Sequence, residues 1–268
     1  MHNRKNFMKK LFLFVLLIIA FNVSAKSLYA QAPITAPLSD NKNPIPFSLN
    51  IGFEGTDSPK EISKGIQIVI FITILSLAPS ILVMVTSFTR IVVILGFLKR
   101  ASGLGQHPSN QITAGLALFL TVYVMAPVGI EMNDKAIQPY LNEEITQGEA
   151  LENILKPLRK FMFKYTREKD IALFVNIAKI ERPKSQEDVP TYLLIPAYII
   201  SELKTSFQIG FLLFLPFLVI DMVVASILLS MGMIVLPPVT ISTPFKVLLF
   251  VMVDGWHLII KSITLGFN

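Results

Sequence analysis

Ser201-Glu202-Leu203-Lys204-Thr205-Ser206-Phe207-Gln208-Ile209-Gly210-Phe211 leads directly into an apolar run, Phe211 to Val235, whose only charge is Asp221. A run of this length meets the roughly 20 residues that a helix needs to cross a bilayer. An acid, a base and an amide stand at its threshold, so polar groups are kept beside hydrocarbon. The chain reads as an all-α integral membrane protein whose hydrophobic helices are kinked or broken.

The composition agrees. Hydrophobic residues make up 53% of the chain and charged ones only 16%, against roughly 25% charged in a soluble domain, and the mean hydropathy is +0.61. With no cysteine and three scattered histidines, His2, His107 and His257, neither a disulfide framework nor metal-ligand spacing is present, so no metal and no cofactor is expected. The net charge of +6 lies largely at the N-terminus and on short segments beside apolar runs, where Lys and Arg set orientation. No basic patch interleaved with aromatics points to nucleic acid.

The N-terminus has the three parts of a targeting segment: Arg4, Lys5, Lys9 and Lys10, then the apolar Leu11 to Phe21, then small residues. Residues 1–30 are therefore expected to be a signal peptide, with cleavage after Ala25 or after Ala30. Residues 31–60, rich in Pro, Asn, Ser and Asp, read as a flexible exported lead-in. The membrane domain is expected over 61–268.

Four spans are expected: Ile66 to Val85 broken by Pro79, Ile112 to Ile130 with Pro127, Phe211 to Val235 with Pro216, and Phe245 to Ile260 interrupted at Asp254-Gly255-Trp256. Arg90, Lys99 and Arg100, with no acid beside them, mark the segment between the first two as a cytoplasmic loop. The mixed-charge stretch 131–190 then lies outside. Its spacing of Leu151, Ile154, Leu155 and Leu158 predicts a helical extracytoplasmic insertion.

Asp221 is the most informative charge, because a carboxylate in hydrocarbon costs about 2.5 to 3.5 kcal/mol on insertion scales. It must face protein or water, as a proton relay or as the structural partner of a cation or an amide on another helix. Lys204 and Asp254 carry the same two readings, and Lys204 can also snorkel from a helix end. Near Ser230-Met231-Gly232-Met233-Ile234-Val235, flexible methionines at a helix end serve either as packing or as an adaptable constriction. An ion-coupled transporter would use Asp221 and Lys204, but no inverted repeat is visible. Enzymatic activity is not expected, since no nucleophile–base pair accompanies Asp221 and Asp254.

Four motifs in order carry a resemblance. Thr86-Ser87-Phe88-Thr89-Arg90-Ile91, Pro108-Ser109-Asn110-Gln111, Ser201-Glu202-Leu203-Lys204 through Gln208-Ile209-Gly210, and Pro244-Phe245-Lys246 leading to Asp254-Gly255-Trp256 closely resemble the FliP family of the flagellar type III export gate, from about residue 66 onward. The resemblance implies a core pore-forming subunit that assembles into a helical homo-oligomer, expected to be a pentamer. FliQ-like and FliR-like subunits and other export-apparatus proteins are its implied partners. Unfolded flagellar substrates would pass through it, in the bacterial inner membrane at the flagellar basal body and in contact with membrane lipid. It implies a pore gasket at Met231, Met233 and Ile234. Arg90, Asn110, Gln111, Glu202, Lys204, Gln208, Asp221, Asp254 and Trp256 are expected to be subunit contacts or structural polar sites. A homologous injectisome export subunit is the alternative within the same class.

Overall fold

The computed structural model describes residues 69–70, 72–73, 76–77, 79–103, 108–233 and 236–267. The expected signal peptide, the lead-in and the gasket residue Ile234 lie outside the described residues. The chain divides into two units, Met1–Leu77 and Ala78–Asn268. In the first, the described residues are helical, and Thr73 Oγ1 donates to the Val69 carbonyl at 2.8 Å.

The second unit is all-helical among its described residues. Its order is α1 Pro79–Val85, α2 Phe88–Ala101, α3 Asn110–Met132 continued by a π-helical turn Asn133–Ile137, α4 Gln138–Leu141, α5 Gln147–Tyr165, α6 Glu168–Ile177, α7 Thr191–Ser230, α8 Pro238–Met252 and α9 Gly255–Leu265. Two helical stretches, Asn110–Leu141 and Thr191–Ser230, are long and apolar enough to cross a membrane. Two bent pairs add up to two more spans, α1 with α2 at 80° and α8 with α9 at 64°.

The core follows from helical periodicity. Ile91, Ile94, Leu95, Leu98 and Ala101 fall on one stripe of α2 and are all buried. They pack chiefly on the first half of α7, where Leu194, Ala197 and Tyr198 are fully buried. Helices α5 and α6 close over the same half of α7, so residues 131–190 form part of the core instead of a separate lobe. Thr146 starts α5 as a capping box with Glu149. Ser109 caps α3 by accepting from the Ile112 N–H at 3.3 Å, and Lys99 Nζ donates to Asn110 Oδ1 at 2.8 Å, tying α2 to the start of α3.

Three expectations are corrected. The third span does not begin at Phe211: α7 starts at Thr191 and runs unbroken for 40 residues. At 1.5 Å per residue it is about 60 Å long, twice the roughly 30 Å hydrocarbon core. Its first half carries polar residues because Ser201, Glu202 and Ser206 face neighbouring helices and are fully buried. Arg90 is not on a loop but buried in α2, its charge matched by Glu202. Pro127 and Pro216 do not break their helices; the bends fall at Thr86–Ser87 and, where the interruption at Asp254 is expected, at Val253–Asp254. Neighbouring packing re-satisfies a proline's missing hydrogen bond, whereas Asp254 takes a left-handed conformation, φ 49°, that no helix accommodates.

Candidate functional site

The first half of α7 carries two polar networks at consecutive residues. Glu202 points at α2, where Arg90 Nε donates to Oε2 at 2.8 Å and Nη2 to Oε1. Such a two-point fork is the geometry that a guanidinium and a carboxylate share. Arg90 Nη1 also donates to the Gly266 carbonyl at 3.1 Å, and the guanidinium lies 4.1 Å from the Phe267 ring centre and 5.1 Å from that of Tyr165. The Tyr165 hydroxyl in turn donates to the Phe267 carbonyl at 2.5 Å. One buried cation thus joins α2, α5, α7 and the chain end after α9.

Ser201, about 100° round the helix from Glu202, faces α6. Its hydroxyl donates to Asp170 Oδ2 at 2.5 Å and accepts from the Arg167 N–H at 3.1 Å, while Arg167 Nη2 donates to the Ser201 carbonyl at 3.0 Å. The Tyr198 hydroxyl donates to the Thr86 carbonyl at 2.9 Å, fastening α7 to the bend between α1 and α2. Arg159 of α5 fans onto the approach to α7, with Nη1 on Thr191 Oγ1 at 2.5 Å and Nη2 on the Val189 carbonyl at 2.7 Å.

Farther along α7, Asp221 finds its partners on α8. Lys246 Nζ donates to Oδ2 at 2.7 Å and the Ser242 hydroxyl to Oδ1. Lys246 and Ser242 are buried and Asp221 is half-buried. The carboxylate in the apolar run is therefore neutralised within the chain, as its cost in hydrocarbon requires. Two glycines set how closely elements approach. A Cβ on Gly210 would stand 2.5 Å from Cγ of Phe97 on α2, and one on Gly255 would stand 2.2 Å from the Phe250 ring.

Helix α7 ends at Met231, Gly232 and Met233. Gly232 takes φ 73° and its N–H bonds back to the Leu229 carbonyl, the glycine-turned stop that helices favour. Met231 and Met233 are 64% and 45% exposed. Much of the second half of α7, and about half of α8, is likewise exposed and apolar, including Phe211, Leu212, Met222, Leu248 and Met252.

The structure brings Arg90 together with Glu202, and Asp221 with Lys246, and it keeps these two pairs separate. Lys204, Gln208, Gln111 and Asp254 are exposed, and among the described residues neither Lys204 nor Asp254 forms a salt bridge within 4 Å. Trp256 packs edge-on against Phe250 at 5.5 Å. Arg159, Tyr165, Asp170 and Phe267 went unrecognised in the sequence. Asp170, at the head of the apolar Ile171 to Val175, offered a signal of the same kind as Asp221. At the start of α5, outside the spanning helices, the Thr146 backbone N–H and hydroxyl hold the Glu149 carboxyl below the usual range. No group of three or more His, Cys, Asp or Glu able to hold a metal ion occurs among the described residues.

This arrangement defines a helical membrane protein with internally neutralised charges, an ordered core at one end of a long helix and unpartnered apolar faces at the other. Comparison with known sequences narrows the class. The FliP family model matches residues 71–263, and the chain belongs to that family. A flagellar biosynthetic protein FliP of Bacillus subtilis is 49% identical over 217 residues, covering 81% of this chain and 98% of the relative. That of Caulobacter vibrioides is 50% identical over 205 residues, 76% and 77% of the two chains. That of Treponema denticola is 40% identical over 262 residues, 96% of each.

Proposed function

We propose that this chain is a core pore-lining subunit of the flagellar type III export gate, through which unfolded flagellar subunits cross the inner membrane at the basal body. The observation that carries the reading is the end of α7. A 40-residue helix delivers two exposed methionines, separated by a left-handed glycine, to its tip. Flexible, polarizable side chains close around varied polypeptides without demanding one shape. A ring of such tips from several copies makes a constriction, and Ile234 continues it. The exposed apolar flanks of α7 and α8 support the same reading, since contiguous apolar surface of this extent needs lipid or neighbouring subunits over it.

The assembly is a homo-oligomer, expected to be a pentamer, with FliQ-like and FliR-like subunits on its outer faces. Lys204 and Gln208, exposed on the ordered half of α7, serve contacts between subunits. Residues 1–30 are the targeting segment, and 131–190 lie on the outer side. Family membership favours the flagellar reading over an injectisome one, because the relatives above are named as flagellar proteins. The Lys246 clamp on Asp221 weighs against an ion-coupled carrier built on that carboxylate. Native mass spectrometry of the detergent-extracted complex, with its partner subunits co-expressed, tests the proposal. A discrete oligomer of this chain that retains small hydrophobic partners supports it, and a monomer without partners refutes it.

A further inference from the structure

At the junction of α2, α3, α8 and α9 lies an apolar slot of about 180 Å³, lined by Leu95, Leu98, Leu116, Val251 and Trp256 among others. Apolar cavities of about 150 Å³ stay dry and take small hydrocarbons, so this slot suits the end of an acyl chain and excludes a polar ligand from its depth. One charged side chain, the half-buried Lys99, stands in this lining. Lys99 gives one donor to Asn110 Oδ1 at 2.8 Å and keeps two more. No Asp or Glu occurs from Thr86 to Ile130, so nothing nearby in sequence competes for its charge. Trp256, also in the lining, is a residue type that settles at headgroup level.

The juxtaposition of an apolar slot with Lys99 in its lining leads us to infer a binding site for one anionic phospholipid, its phosphate on Lys99 and an acyl chain in the slot. Charge complementarity selects this occupant over a neutral lipid. A juxtamembrane basic residue strengthens attachment to anionic lipid by about five-fold.

Trp256 is the only tryptophan in the chain and lines the slot, so it reports occupancy directly. The assembled complex is placed in vesicles of phosphatidylcholine doped with chain-brominated phosphatidylglycerol or chain-brominated phosphatidylcholine. Fluorescence of a W256F complex is subtracted to remove partner signals. The brominated anionic lipid is expected to quench Trp256 at a mole fraction about five-fold below that of the brominated neutral one. K99Q should shift the anionic curve about five-fold and leave the neutral curve in place, while V247F, which fills the slot wall, should weaken both. Equal quenching by the two lipids, unmoved by K99Q, would reduce the site to ordinary surrounding lipid and overturn the inference. Absence of quenching by either, in a complex of unchanged mass, would mean that a partner helix covers the slot and would overturn it too.

Discussion

Replacing Arg90 and Glu202 singly and together tests the packing account most sharply. Glu202 is fully buried and spends both carboxylate oxygens on Arg90. Removing the guanidinium strands that carboxylate, and breaking a buried pair in this way costs about 3–5 kcal/mol. R90L also deletes the hydrogen bond to the Gly266 carbonyl, worth about 1.5–3 kcal/mol for a charged donor. The stack over Phe267 adds roughly 0.5–2 kcal/mol. These losses share one environment and do not sum fully, so R90L is expected to cost on the order of 4–6 kcal/mol. E202L leaves a cation that still holds Gly266 and the aromatic rings, so its cost should sit nearer 3–5 kcal/mol. The double variant removes the charge imbalance and loses mainly the tail contacts, on the order of 2–4 kcal/mol, because an apolar pair can replace a buried ionic one at little net loss. In detergent, with a shift of about 2–4 °C per kcal/mol for a chain of this size, R90L should melt some 8 °C or more below the parent. R90L/E202L should recover a large part of that. Additive losses, or a double variant no better than R90L, would refute the claim that each residue is needed chiefly to neutralise the other.

Gly210→Ala should destabilise by about 1–3 kcal/mol, because the new methyl would meet Phe97 near its own Cβ, where the ring cannot swing away. Gly255→Ala should cost less, since the Phe250 atoms in the way are the far end of its ring; paired thermal melts check the order. Asp221→Asn should lower the melting temperature more than Lys246→Met, because it strands the buried Lys246 ammonium, whereas Lys246→Met leaves a half-buried carboxylate that still accepts from Ser242. Arg159→Lys should speed proteolysis within 180–190, because a point charge cannot fork to Thr191 and Val189 at once. At the start of α5 the depressed Glu149 carboxyl makes the cap strongest above the ordinary carboxylate range and weakens it as pH falls through the lowered value. Amide exchange of residues 147–150, corrected for intrinsic rate, should show that loss, and Thr146→Ala should flatten its pH dependence.

Hydropathy and periodicity reveal that the chain is helical and membrane-embedded, because both signals are local. The helix α3 emerges from its apolar run and the insertion helices from their spacing. What one dimension hides is compensation at a distance. Arg90 reads as a loop cation until Glu202, 112 residues later, is seen against it. Ser201 and Glu202 read as a threshold until α6 and α2 are seen to receive them separately. For the same reason the start of α7 was placed at Phe211: a hydropathy window ends where polar residues begin, whether those residues face water or protein. Asp221 was the most legible site residue, since hydrocarbon demanded a partner for it, yet only the fold shows that the partner is Lys246. The bend at Asp254 was legible because Asp254-Gly255 interrupts an apolar run, whereas the bend at Thr86–Ser87 carries no glycine or proline. Ser87, buried there with its hydroxyl unpaired, has no account in the packing around it.

The central claim is that polypeptide passes beside Met231 and Met233. A chain without cysteines allows single cysteines to be placed at Met233 and, as the contrast, at Leu248 on the exposed flank of α8. Both are then tested for crosslinking to a flagellar substrate arrested in transit. The account predicts a substrate crosslink from M233C and none from L248C. A crosslink from L248C alone, or from neither position in cells that assemble the complex, would contradict it.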